Sequence, residues 1–118
     1  MSRIGRDYIA YIGQKISYFE QQASRLFGRP VSQLLLSHAS LLNATYMDSL
    51  AALFRSRGYE FVPLEEALKD PVYQQEITVF GNWGISWIDL WALSMGEKGD
   101  FFSNEPVTPE YIRELSGN

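Results

Sequence analysis

The chain has 118 residues, of which 46% are hydrophobic and 20% charged, enough apolar material for one folded domain and a length at which a second independent domain is not expected. Ten Lys and Arg against fourteen Asp and Glu leave a formal charge of −4, which disfavours binding to a phosphate backbone. With no Cys and one His, these residues exclude disulfides, thiolate nucleophiles and any site that needs two imidazoles.

The N-terminal stretch leads into Tyr8-Ile9-Ala10-Tyr11-Ile12, a run broken by Gln14 and Lys15 and too short for a secretory leader. No run approaches the roughly 18 apolar residues of a membrane span. Ile4, Tyr8, Ile12, Ile16, Phe19, Ala23 and Leu26 recur at steps of three and four, which predicts an amphipathic helix over 4–27. Gly28 suits its left-handed cap, and Pro30 stops it. The apolar run 31–38 reads as a buried strand between two polar turns.

Asn43 reads as the N-cap of a second helix whose stripe is Tyr46, Met47, Leu50, Leu53 and Phe54, closed by Arg55, Arg57 and Gly58. Residues 59–62 read as a second strand, and Pro63 opens a brief helix that Asp70-Pro71 ends. A last helix over 85–95 places Ile88, Trp91 and Met95 on one stripe. From 96 to 118 the chain reads as a tail with a short helix, punctuated by Gly96, Gly99, Pro106 and Pro109. The alternation of helix and strand predicts an α/β class with few parallel strands and flanking helices. Two parallel strands leave open edges, so the pattern implies either a homo-oligomer or a missing N-terminal half.

His38 closes the first predicted strand, and the alternation of side chains puts Leu34, Leu36 and His38 on one face. The carboxyl end of a parallel strand is where α/β proteins place their chemistry, and an imidazole can exchange a proton at neutral pH. The bland alternative is a His bonded to a loop carbonyl.

The stretch Gln33-Leu34-Leu35-Leu36-Ser37-His38-Ala39, the helix over 42–57 and Gly58-Tyr59-Glu60-Phe61-Val62-Pro63-Leu64-Glu65-Glu66-Ala67-Leu68 together resemble the last third of a polysaccharide deacetylase. Asp70-Pro71-Val72-Tyr73 and Gly84-Ile85-Ser86-Trp87 resemble one branch of the same family, the carbohydrate esterases of the chitooligosaccharide-deacetylase homology group. The resemblance implies the C-terminal part of a distorted (β/α) barrel over 1–95, and a hydrolase that removes acetyl groups from a glycan. It also implies a divalent metal, usually zinc, and a family often secreted or periplasmic.

Carried over from the family, Leu36 lines the acetyl pocket and His38 is the general acid that protonates the leaving amine. The family's metal ligands, one Asp and two His, lie upstream of this element together with its catalytic base. Ahead of His38 this chain has only Asp7 and Glu20 as acids and no second His, so the expected metal ligands of this chain are none. The implied state is a fragment lacking the catalytic front half. The alternative is a truncated, non-catalytic module acting in assembly or carbohydrate binding.

Trp83, Trp87 and Trp91 fall four apart, and a flat ring such as Trp87 can stack on a pyranose, although core packing is the more common use of such a stripe. Asn43-Ala44-Thr45 matches a glycosylation sequon that helix capping also explains. Glu65-Glu66 points in two directions and reads as solvated, while Met47 and Met95 read as core.

Overall fold

A computed structural model of the chain describes residues 2–35, 41–79 and 86–116. Of these, 64% are helical and none lies in a strand, so the α/β class and the (β/α) barrel expected from the sequence are overturned: the described residues form helices alone. The helices are α1 (Arg3–Phe27), α2 (Leu41–Thr45), α3 (Met47–Ser56), α4 (Leu64–Ala67), α5 (Trp87–Ser94) and α6 (Glu110–Ser116), with single 3-10 turns at Pro71–Gln74 and Gly99–Phe102.

The two expected strands fail for a common reason. A strand exists only where a neighbour completes its ladder, and in the described parts of both segments, 31–35 and 59–62, backbone groups are taken by other partners. In 31–35 the Ser32 N–H donates to Asp70 Oδ2 at 2.8 Å and the Ser32 carbonyl accepts from the Tyr73 hydroxyl at 2.6 Å. After α3, the Tyr59 N–H closes the helix end on the Phe54 carbonyl at 3.1 Å, and the rings of Tyr59 and Phe61 meet Phe54 edge-on.

The residues divide into two compact units: Met1–Ile16, Leu34–Val62 and Pro106–Asn118 in one, Ser17–Gln33 and Pro63–Glu105 in the other. In the first, Gly5 lies directly under the Tyr46 ring, whose hydroxyl is 2.7 Å from Ser2 Oγ. Tyr8 donates its hydroxyl to Asn43 Oδ1, so Asn43 sits inside α2 and does not cap α3 as expected. Tyr46 occupies that N-cap position without a side-chain bond to the backbone of the helix's first turn. Leu50 is buried, whereas Met47 is 46% exposed and is not a core residue. Helix α6 is held by the Tyr111 hydroxyl donating to Asp7 and by the Arg3 guanidinium 4.3 Å above the Tyr111 ring.

The second unit has a core of Ala23, Val31, Val72, Ile88 and Trp91, against which Phe19, Leu26, Phe27, Tyr73 and Ile77 pack. This is the apolar stripe of α1 read from the sequence, continued into the C-terminal helices. Helix α1 ends on Gly28 at φ 69°, a left-handed value that a side chain disfavours. Met95, like Met47, is 46% exposed and corrects the core assignment made for it. One buried polar knot crosses the unit: Gln22, 2% exposed, donates Nε2 to the Tyr18 hydroxyl at 3.0 Å and to the Phe101 carbonyl at 2.7 Å.

Candidate functional site

The described part of the site is organised around Ser32, two residues after the Gly28-Arg29-Pro30 that ends α1. Asp70 reaches it from the start of the 3-10 turn, where the carboxylate takes four hydrogen bonds. Arg29 donates to both oxygens at 2.6 and 3.2 Å, Val72 N–H donates at 2.9 Å, and Ser32 N–H completes the set. With Pro71 in the first turn, whose missing N–H costs the turn nothing, Asp70 is both cap and clamp. The Arg29 guanidinium, aided by the two backbone N–H groups, holds the Asp70 carboxyl well below the usual carboxylate range against the opposing effect of desolvation.

Tyr73, from the same turn, donates its hydroxyl to the other side of Ser32. Burial, with the Asp70 charge adding to it, raises the Tyr73 hydroxyl pKa. Its ring meets Trp87 at 5.2 Å and 65°, and Trp91 at 5.5 Å and 63°. Helix α5 begins where Ser86 Oγ accepts from the Asp89 N–H at 3.1 Å, a cap placed three residues ahead of an acid. That cap fixes Trp87 in the first turn and Trp91 one turn on, with centroids 6.2 Å apart. The two rings divide sharply: Trp91 is 2% exposed and Trp87 is 45% exposed. Core packing therefore accounts for Trp91 and leaves much of Trp87 in water.

Leu36 and His38, together with Trp83, lie outside the described residues. Segment 31–35, which leads to them, has its Ser32 backbone fixed on both sides, and Leu34 and Leu35 beyond it are exposed. Asp70 and Tyr73 were read from the sequence only as a helix stop and part of a resemblance. The legible signal was an acid directly before Pro, which predicts a side-chain cap as well as a stop.

Among the described residues no group of three or more His, Cys, Asp or Glu could hold a metal ion, and the sequence has a single His to offer. No helix among the described residues is long and apolar enough to cross a membrane.

Comparison with models of known protein families, with curated proteins and with solved structures finds no match.

Proposed function

We propose that the chain contributes the proton-donating part of a hydrolase that removes acetyl groups from a glycan, with His38 as general acid and Leu36 against the acetyl methyl. The observation that carries this reading is the contact of two stretches of the deacetylase resemblance far apart in sequence, 70–73 and the start of α5, where the Tyr73 ring meets Trp87, while Asp70 and the Tyr73 hydroxyl hold Ser32, the residue just ahead of the Gln33–Ala39 stretch. A resemblance distributed in this way supports a common site more strongly than any one of its short motifs.

In this reading His38, protonated, gives its proton to the nitrogen or oxygen of the departing sugar as the acyl bond breaks. Activation of the attacking water falls to a metal-binding set that these 118 residues do not contain. The test is acetate release from N-acetylated chitooligosaccharides with added Zn²⁺. The chain alone is expected to release none. The complete protein, with an in-frame upstream segment supplying an Asp and a pair of His, is expected to release it and to lose about a hundredfold or more in rate in His38→Ala. Unchanged hydrolysis by that variant, or an upstream segment without such ligands, defeats the reading.

A second reading, a non-catalytic assembly module, is favoured by the exposure of Leu34, Leu35, Phe61 and Val62 on the two extended segments. Sedimentation over a wide concentration range distinguishes it, since a monomer throughout removes its basis.

A further inference from the structure

We draw no further inference here: the strongest candidate, the exposed apolar patch of Phe61 and Val62 on the segment that follows α3, where the Arg55 guanidinium lies 5.3 Å over the Phe61 ring, carries nothing because nothing in the structure shows what covers it.

Discussion

The Tyr73 hydroxyl donates to the Ser32 carbonyl at 2.6 Å across 41 residues of sequence, while its ring carries Trp87 and Trp91 on two sides. One side chain thus ties the segment after α1 to the aromatic cluster of α5, by a polar and an apolar contact that can be separated. Tyr73→Phe removes the hydrogen bond alone and is expected to lower stability by about 1 kcal/mol, with tryptophan emission unchanged. Tyr73→Ala removes the ring as well and is expected to lower it by about 3 kcal/mol and shift emission to the red, as water reaches Trp91. Urea unfolding followed by both circular dichroism and fluorescence checks the pair; equal behaviour of the two variants contradicts the division of roles.

Asp70 makes the acid limb of stability predictable. Its carboxyl is held below its ordinary value, chiefly by Arg29, so the native state binds the proton less readily than the unfolded chain. That contribution is fully present above the ordinary carboxylate pKa of about 4 and is lost as pH falls below it toward the depressed value. Arg29→Met relieves the depression and is expected to move the acid-unfolding midpoint to higher pH. Asp70→Ala also strips the cap from Val72 and the partner from Ser32 N–H, costing at least about 1 kcal/mol at neutral pH. Thermal unfolding of both variants from pH 2 to 7 tests the order.

The helices were legible because their signals are local. The stripe from Ile4 to Leu26, Gly28 after it and the stop at Asp70-Pro71 match α1, its left-handed cap and the 3-10 turn. The strands were not legible, because a short apolar run such as 31–35 states only that it is to be buried. Whether it becomes a strand depends on a pairing partner, and here Asp70 and Tyr73, about forty residues on, take the Ser32 backbone groups that a ladder would use. The same limit applies to burial. Met47 and Met95 sit on the stripes that bury Leu50 and Trp91, but at exposed ends of them, and periodicity does not say how far a stripe is covered. The spacing of four placed Trp87 and Trp91 on one helix face, while the angle at which Tyr73 meets Trp87 required the three-dimensional contact.

Gly5 marks a close approach that its sequence context does not announce. A Cβ placed there meets Cε1 and Cζ of Tyr46 at 2.5 Å, and Tyr46 is held by Ser2 Oγ at 2.7 Å and by the Tyr8 ring. Alanine favours a helix over glycine by about 1 kcal/mol, so an open site would gain from the exchange. Gly5→Ala is expected to be destabilising by about 1 to 2 kcal/mol instead, since Tyr46 must leave its bond to make room. Adding Tyr46→Leu is expected to recover most of the loss, and thermal denaturation of the single and double variants measures the coupling.

Tyr18 gives the alkaline limb. Burial first, then the nearby Asp89 charge, pushes its hydroxyl up to about 12, with the Gln22 contact acting in the opposite sense. The native state therefore keeps this proton when the unfolded chain, with a tyrosine pKa near 10, releases it. Stability from this group is intact below about pH 10 and is lost progressively as pH rises toward 12. Absorbance titration of tyrosinate is expected to lose its latest component in Tyr18→Phe, whose alkaline unfolding begins at higher pH. Gln22→Leu keeps the volume but leaves the Phe101 carbonyl without its 2.7 Å donor inside the unit, and is expected to cost about 1 to 3 kcal/mol. If Gln22→Leu is as stable as the parent, the knot between Tyr18 and Phe101 contributes nothing to holding the Gly99–Phe102 turn against α1.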